Sequence, residues 1–472
     1  MRGKFLSGIT FFFALNILIK PIWVFGIDMV VQNRVGADVY GSYFALLNIT
    51  LMFAILLDLG INMSNTRNVA GDASTIKSYF PSLFFLRIIL LILFSLVVGA
   101  VGILLGYNRY MLSLLGWMVI NQFLLSSILF IRSYVGGLQW FNWDAFLSVA
   151  DKLLVIVILG IMLYFSDAAF IIEYLIGGQT VAYALALIIG VGILRNQLTS
   201  MHWTFDRSRI WEKLQQAIPY ATLILVMGLY TRLDGVMIER MKGGEASGIY
   251  AGAFRLLDIA IQIGVLYSFV LIPVFTKRLQ SKQLYGGLMR SSFNLLLSVS
   301  LSAAVAVVVF HQELVAFFYH HATPGMGMSL AILMATLPAF YMGYLFGSAL
   351  TAGGKTTILN RIALGGLALN FTLNIALIYL YAEVGAAIAT ATTQWSAALL
   401  QMWAAKRVFN IRIHRKQWNA LLVMIALQFA VYISLNAALD WPWALCVGGL
   451  FSMASPFALK LVDIKRLKSI RS

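Results

Sequence analysis

Long apolar runs recur along the whole chain at intervals of about 30 residues, separated by short polar connectors. Each run has about 20 residues, which is the length that an α-helix needs to cross the hydrocarbon core of a bilayer. The pattern predicts about fourteen transmembrane helices, near residues 8–31, 42–64, 80–106, 111–137, 143–165, 169–194, 215–238, 247–273, 288–310, 329–352, 358–381, 384–405, 418–438 and 441–462.

The composition is that of a protein lying almost wholly within the bilayer. Of 472 residues, 61% are hydrophobic and 11% are charged, and the mean hydropathy is +0.87. These values exclude a cytosolic enzyme and a nucleic-acid-binding protein, whose surfaces are more strongly charged. The single cysteine, Cys446, excludes a disulfide scaffold and a thiolate metal cluster. The first apolar run continues past Pro21 without a small-residue cleavage site, so we expect an uncleaved span.

The basic residues provide an independent test of the number of spans. If the N-terminus is cytoplasmic, fourteen spans place 24 Lys and Arg residues in inner loops and termini. The outer loops then hold only Arg34, Arg109, Arg240 and Lys242. Cytoplasmic loops of membrane proteins carry such an excess of Lys and Arg, and removing one span would invert every later loop. We therefore predict that both termini are cytoplasmic and that the formal charge of +16 mainly reflects this topology.

A short motif recurs six spans apart. Asp28 precedes Gly41-Ser42-Tyr43, and Asp234 precedes Gly248-Ile249-Tyr250. An even number of spans keeps both copies in the same orientation, so a true repeat predicts two parallel six-helix lobes around a central cavity; chance similarity is the alternative. The predicted domains are an N-terminal lobe (1–200), a C-terminal lobe (201–410) and two further helices with a cytoplasmic tail (411–472).

Six basic residues lie inside predicted spans: Lys20, Arg87, Arg132, Lys152, Arg232 and Arg255. A charge at the bilayer centre costs about 2.5–3.5 kcal/mol on insertion scales, so it normally faces a wet cavity or a partner. Arg87 is close to the inner boundary, and we expect its long side chain to reach the interface. Lys152 directly follows Asp151, which favours local pairing. For the others, hydrogen bonds that only fix helix packing are the alternative to a cavity.

Helical spacing places several polar residues on common faces, since residues at i, i+3 or i+4 and i+7 share one side of a helix. These stripes are Asn16, Lys20 and Trp23; Asp58, Asn62 and Asn65; Asp144, Ser148 and Asp151; Arg255, Asp258 and Gln262; and, eleven residues apart, Asn121 and Arg132. A basic cavity would bind an anion, and the planar guanidinium group is suited to phosphate. Trp23 would offer a flat face to a sugar ring or an isoprenoid tail, although Trp is also common at membrane interfaces.

The stretch from Gly36 to Arg67, GADVYGSYFALLNITLMFAILLDLGINMSNTR, resembles the first hairpin of bacterial Wzx-type flippases. These form the polysaccharide-transport branch of the multidrug/oligosaccharidyl-lipid/polysaccharide (MOP) exporter superfamily. The resemblance rests on Gly41 and Tyr43, on the turn Leu57-Asp58-Leu59-Gly60 before Arg67, and on the small-residue stretch 385–390. The length and the number of spans agree with this family over essentially the whole chain.

The resemblance implies a two-lobed carrier of the bacterial inner membrane, not an enzyme. Its cargo would be an undecaprenyl-pyrophosphate-linked oligosaccharide, moved from the cytoplasmic to the periplasmic leaflet for O-antigen, capsule or exopolysaccharide synthesis. Polysaccharide polymerase and chain-length proteins would be possible partners, nucleic acid would not, and no cofactor or metal is implied beyond a coupling H⁺ or Na⁺. The implied cargo-binding residues are Lys20, Arg232 and Arg255, with Arg132 and Trp23 in addition. The candidate coupling carboxylates are Asp28, Asp234 and Asp258. A helix-capping or pairing role is the alternative for Asp28 and Asp234, which lie near the predicted outer ends of their spans.

Two other classes of protein share this hydrophobic pattern. A drug or small-solute exporter of the same superfamily would have the same architecture, but an exporter of cations should be richer in buried acids than in buried bases. A polytopic glycosyltransferase, O-antigen polymerase or ligase would also be long and apolar. Such enzymes commonly place catalytic acids or arginines in a sizeable outer loop, and the predicted outer loops here are short.

Overall fold

The structure is a computed structural model that describes Leu15 and residues 18–72, 75–166, 169–199, 225–226, 228–280, 286–411 and 413–462. Within these ranges the regular secondary structure is helical and no strand occurs. Ten helices of the described chain are long and apolar enough to cross a membrane. The predicted all-α membrane fold is confirmed. The count of fourteen spans and the cytoplasmic termini stay predictions, because the ends of the chain and much of the predicted seventh span lie outside the described residues.

The described helices in chain order are α1 (Met29–Val35), α2 (Ala37–Phe53), α3 (Ile61–Gly71), α4 (Thr75–Leu104), α5 (Arg109–Gly137), α6 (Phe141–Tyr164), α7 (Ile172–Leu198), α8 (228–242), α9 (Gly244–Gln280), α10 (Gly286–Val309), α11 (His311–Phe318), α12 (Pro324–Met334), α13 (Leu337–Ala352), α14 (Thr356–Phe409), α15 (Arg415–Ala438) and α16 (Trp441–Ala458). A π-helical turn (Val24–Asp28) precedes α1, and a 3₁₀ turn (Ala54–Leu57) follows α2.

The first two spans are irregular where the sequence weakens the helix. The π-turn begins three residues after Pro21, which has no backbone N–H to donate to the preceding turn. The second span is interrupted after its 3₁₀ turn, where Leu59 and Gly60 have positive φ angles of 46° and 78°. The turn predicted at Leu57-Asp58-Leu59-Gly60 is therefore confirmed. Its consequence is that Asp58 does not belong to the same helix as Asn62 and Asn65, which begin α3.

The described chain divides into two compact units, Met1–Gly248 and Ile249–Ser472. The domain limit that the sequence predicts, between residues 200 and 201, lies outside the described residues. The first unit retains α8 because this helix approaches α2 through glycines: a Cβ at Gly235 would lie 2.6 Å from Asn48 Nδ2, and one at Gly228 would lie 3.0 Å from Met52 O. Small residues permit such close contact between membrane helices.

The apolar core of the first unit lies among α3, α4 and α5. Phe80, Phe130 and Tyr134 pack with ring centroids 5.1–5.5 Å apart. Tilted and edge-on arrangements of this kind add to the energy of burial. Around them α5 also packs against α2, α6 and α7, which makes it the central helix of this unit.

In the second unit α13 packs against α10 and α14, and α15 packs against α10 and α16. The long helix α14 is two helices joined at Ala382, whose φ of 48° reverses the chain direction. The close return is possible because Gly385 has no side chain: a Cβ there would lie 1.9 Å from Leu377 O. The predicted boundary between the eleventh and twelfth spans is confirmed at this position.

The two copies of the repeated motif meet within the first unit. A Cβ added to Gly41 of α2 would lie 1.9 Å from Gly244 O and 2.3 Å from Gly248 N. Ser247 Oγ donates a hydrogen bond to Gly41 O at 3.1 Å, and Gln32 Nε2 donates to Gly248 O at 2.9 Å. The recurrence of glycine in both motifs thus has a packing reason. The arrangement of two lobes around a central cavity stays a prediction.

Candidate functional site

A polar cavity of about 280 Å³ lies within the first unit, between the broken second span and helices α5 and α6. Its wall consists of Ala54, Leu57, Asp58, Asn62, Gln122, Leu125, Ser126, Ile128, Leu129, Arg132, Leu147, Ser148, Asp151 and Lys152. All three wall segments belong to helices that the hydropathy of the chain identifies as membrane spans. Charged groups at such a position need partners or a hydrated space.

Both basic residues of the cavity wall are paired with carboxylates. Arg132 Nε donates to Asp144 Oδ1 at 2.9 Å, and Lys152 Nζ donates to Asp151 Oδ2 at 2.8 Å. The first pair joins the C-terminal part of α5 to the first turn of α6, and the second is the local pairing predicted from sequence. Pairing offsets the cost of removing each charge from water, because the mutual attraction grows as the dielectric constant falls.

Asp58 has a structural as well as an electrostatic role. Its Oδ1 accepts a hydrogen bond from the backbone N–H of Asn62 at 3.1 Å. The first N–H groups of a helix have no partner inside the helix, so a carboxylate at this point stabilises the start of α3. The break in the second span therefore places a charged carboxylate on the cavity wall. A continuous helix would have no free N–H groups for it to bind.

Arg87 lies directly behind the cavity wall, and the expectation that it reaches the interface was wrong. Its side chain is only 2% exposed. One Nη2–H donates to Ser126 Oγ at 2.8 Å, the guanidinium lies 4.7 Å from the centre of the Phe130 ring, and the charge interacts electrostatically with Asp58. A hydroxyl, an aromatic face and a carboxylate thus surround the guanidinium group of Arg87. All three come from elements distant in sequence from it.

The predicted residues of the first span lie in the first unit, next to the π-turn. Lys20 and Trp23 are half-buried, and Asp28 is buried. Tyr40 OH donates to Asp28 Oδ1 at 2.9 Å. Tyr164 OH donates to Gly26 O at 2.8 Å and so satisfies a carbonyl of the irregular turn. Irregular backbone is tolerated at membrane depth when other groups supply the missing hydrogen bonds in this way.

The remaining predicted residues fall on two helices. Arg232 is half-buried and Asp234 is buried on α8, in the first unit. Arg255 and Asp258 are half-buried on α9, in the second unit, and Gln262 follows on the same face. Of the predicted site residues, the structure places only Arg132 at the cavity. The assignments of Lys20, Trp23, Arg232 and Arg255 to cargo, and of the three aspartates to coupling, stay predictions.

The polar stripe on α6 was an accurate guide to the cavity, whereas only Arg132 of the stripe on α5 lines it. Ser148 and Asp151 line the cavity, and Asp144 of the same stripe holds Arg132. Asn121, in contrast, faces away and donates to Ile176 O at 3.0 Å, which fixes packing against α7. Its neighbour Gln122 is the cavity residue. Sequence reasoning missed Gln122, although Ser126 lies four residues later on the same face of the helix and also lines the cavity.

A second polar cluster lies at the helix ends that the charge pattern places outside. Tyr107 OH donates to Glu239 Oε2 at 2.9 Å, and Arg240 pairs with Glu239 while its guanidinium lies 4.1 Å from the centre of the Tyr107 ring. Arg240 Nη1 also donates to Leu105 O at 3.0 Å. Burial, and then the Glu239 charge, raise the pKa of Tyr107, so its hydroxyl stays a donor. The hydrogen bond to Glu239 raises the pKa of Arg240.

No group of three or more His, Cys, Asp or Glu side chains in the described ranges is arranged to hold a metal ion. The titratable groups of the cavity are instead matched pairs with hydrogen-bonding neighbours. Such a site can bind a polar molecule.

Comparison with known proteins supplies the family. The model of a family described as "Polysaccharide biosynthesis protein" matches residues 6–279. An uncharacterized membrane protein of Methanocaldococcus jannaschii is 24% identical over 389 residues, covering 79% of this chain and 91% of the relative.

Two solved structures show a similar fold. The lipid II flippase MurJ in an inward closed conformation is 14% identical, with a TM-score of 0.72 over 95% of this chain and 97% of that chain. An inward-facing multidrug resistance MATE family transporter of the MOP superfamily is 12% identical, with a TM-score of 0.63 over 81% of this chain and 93% of that chain. At these identities the likeness is one of fold.

Proposed function

Because the chain belongs to the polysaccharide biosynthesis protein family, we propose that it is a flippase for lipid-linked oligosaccharides. Its cargo would be an undecaprenyl-pyrophosphate-linked repeat unit, carried from the cytoplasmic to the outer leaflet for assembly of a surface polysaccharide such as O-antigen, capsule or exopolysaccharide. The chain is a multi-pass membrane protein, and the membrane in question would be the cytoplasmic membrane.

The single observation that supports this proposal most strongly is the polar cavity enclosed by apolar membrane helices. Two ion pairs, a helix-capping carboxylate and a buried arginine behind the wall are retained where each charge costs free energy. A protein that only packed helices together would be more stable with apolar residues there. Transport of a hydrophilic head group across the bilayer would explain why these polar groups are present.

The pyrophosphate is assigned to the predicted basic residues. Lys20, Arg232 and Arg255 would replace part of its hydration shell, with Arg132 and Trp23 contributing contacts to the adjoining groups. Transport would proceed by alternating access, in which the cargo-bound protein opens to one side of the membrane at a time. Asp28, Asp234 and Asp258 are the proposed carboxylates for coupling to H⁺ or Na⁺.

Genetic complementation tests the proposal. Deletion of the gene should abolish the surface polysaccharide and leave lipid-linked repeat units at the cytoplasmic face, and the wild-type gene should restore export. Lys20→Ala and Arg255→Ala should restore less export at equal protein level. Arg361→Ala is the matched control, because Arg361 is an exposed arginine of α14 outside the proposed site.

Three outcomes separate the alternatives. Full rescue by both alanine variants would remove the assignment of these residues while leaving the flippase proposal intact. A deletion strain that exports complete lipid-linked units but leaves them unpolymerised or unattached would contradict the flippase proposal and favour a polymerase or ligase. A strain with normal polysaccharide and altered drug sensitivity would favour an exporter of small solutes.

A further inference from the structure

Acidic and basic side chains are equal in number on the wall of the cavity of the first unit, where Asp58 and Asp151 accompany Arg132 and Lys152. Two further charged residues adjoin the wall: Asp144 pairs with Arg132, and Arg87 interacts with Asp58. Arg132 and Lys152 are each within 3 Å of a carboxylate oxygen. A pyrophosphate entering this cavity would meet no excess of basic groups and would lie close to the carboxyl groups of Asp58 and Asp151. The cavity is therefore unsuited to the charged part of a lipid-linked glycan.

Its hydrogen-bonding groups suit hydroxyls instead. Carboxylate oxygens only accept hydrogen bonds, ammonium and guanidinium groups only donate them, and amides and serines do both. The wall presents all three kinds, including Gln122, Asn62 and Ser148. A sugar ring carries several hydroxyls that donate and accept at once, so it can bond to such a mixed wall without changing the charge of the site.

The rest of the wall and the size of the cavity agree with a single sugar ring. Leu57, Leu125, Leu129 and Leu147 give the wall an apolar side, on which the C–H face of a pyranose can lie. The volume of about 280 Å³ is at the lower end of the range for small-molecule sites, which begins near 300 Å³. This is sufficient for one monosaccharide.

One wall residue has an acceptor without a donor. Asn62 Oδ1 is buried and accepts no hydrogen bond from any described residue. A buried polar atom left in this state destabilises the protein, and a hydroxyl in the adjoining cavity would supply the missing donor once the Asn62 side chain turns toward the cavity. Behind the wall, the bond from Arg87 to Ser126 Oγ holds that serine in place, and the serine hydroxyl donates to Leu57 O at 3.5 Å.

We propose that this cavity is a monosaccharide-binding subsite, which receives one uncharged sugar of the cargo while the pyrophosphate binds elsewhere. The inference rests on the proposed function and adds a basis for selecting among glycans. The subsite hydrogen-bonds to hydroxyls at particular positions of the sugar ring. It therefore discriminates between sugars that the pyrophosphate-binding residues cannot distinguish.

The test compares two probes on the full-length protein in nanodiscs. One probe is the lipid-linked repeat unit extracted from the deletion strain, and the other is bare undecaprenyl pyrophosphate. Wild type should bind the glycan-loaded lipid more tightly. Gln122→Leu should reduce that advantage by roughly two- to tenfold, the effect of losing one or two net hydrogen bonds, while binding of the bare lipid is unchanged. Gln197→Leu is the matched control, a half-buried glutamine of α7 outside the cavity wall.

The possible results are distinguishable. Equal binding of both lipids by wild type, or an equal loss of both in Gln122→Leu, would overturn the monosaccharide subsite and leave the flippase proposal standing. Failure of wild type to bind either lipid would contradict the proposed function itself, and the subsite with it. A second, smaller substitution distinguishes loss of binding from misfolding. Ser148→Ala should also weaken binding of the glycan-loaded lipid and leave binding of the bare lipid unchanged. Ser113→Ala, which removes the same 2.7 Å bond to a carbonyl three residues earlier on an exposed face, should have no effect.

Discussion

The close contact between α2 and the start of α9 makes Gly41→Ala a sharp test of the fold. A methyl group at this position would lie 1.9 Å from Gly244 O, whereas ordinary contact begins at 3.4 Å. Both nearby atoms belong to the backbone, so no side-chain rotation relieves the overlap and the helices must separate by about 1.5 Å locally. That separation would also lengthen the hydrogen bonds donated by Ser247 and Gln32.

The expected cost follows from these changes. Overpacking of a close contact costs about 1–3 kcal/mol, and this contact lies at the upper end because backbone opposes it. Two weakened hydrogen bonds add about 0.6 kcal/mol each in a membrane protein, and alanine regains about 0.5–1 kcal/mol of helix propensity over glycine. The net destabilisation is about 2–4 kcal/mol.

Thermal unfolding of the purified protein in one detergent measures this effect. Gly41→Ala should lower the unfolding midpoint clearly. Gly116→Ala, in α5, should leave the midpoint unchanged or raise it slightly, because a Cβ there has no atom within 4 Å. If the two variants unfold at the same temperature as wild type, the close approach of Gly41 to Gly244 is refuted.

Three further predictions concern stability, each measured by the same unfolding assay. Gln428→Leu should destabilise the protein by about 1–2 kcal/mol, since it removes bonds of 2.8–2.9 Å to two serines; an unchanged midpoint would show that these bonds contribute nothing. Glu239→Gln should destabilise the protein by about 1–3 kcal/mol, because it leaves Arg240 without a charged partner. Tyr107→Phe should destabilise it less, because it removes only one hydrogen bond to Glu239. A larger destabilisation by Tyr107→Phe than by Glu239→Gln would contradict these roles. Arg87→Leu should cost about 3 kcal/mol or more, and adding Asp58→Asn should recover part of it; strict additivity would exclude their electrostatic coupling.

The membrane class and most helix positions could be predicted because each depends on a local property. An apolar run of about 20 residues crosses a bilayer whatever surrounds it, so the pattern identified the spans directly. The sequence also predicts the turn at Leu57–Gly60. The α6 stripe succeeded for the same reason: Ser148 and Asp151 share a face by helical geometry alone.

Properties that depend on which helices become neighbours could not be predicted. Arg87 lies near one boundary in sequence, and only the tertiary contacts with Ser126, Phe130 and Asp58 explain why it is buried instead. Gln122, rather than Asn121, faces the cavity because α5 packs against α7 on the other side.

The sequence by itself determined that this chain is a helical membrane protein with charged groups held inside its spans, because the length and polarity of a segment decide whether it can enter a bilayer. Which of those charges pair with one another follows from tertiary packing. The sequence assigns Arg132 to the cargo without showing its protein partner, and the structure pairs it with Asp144. The physical reason is that an ion pair requires atoms within about 4 Å, a distance set by the packing of two helices and not by the order of residues along either one.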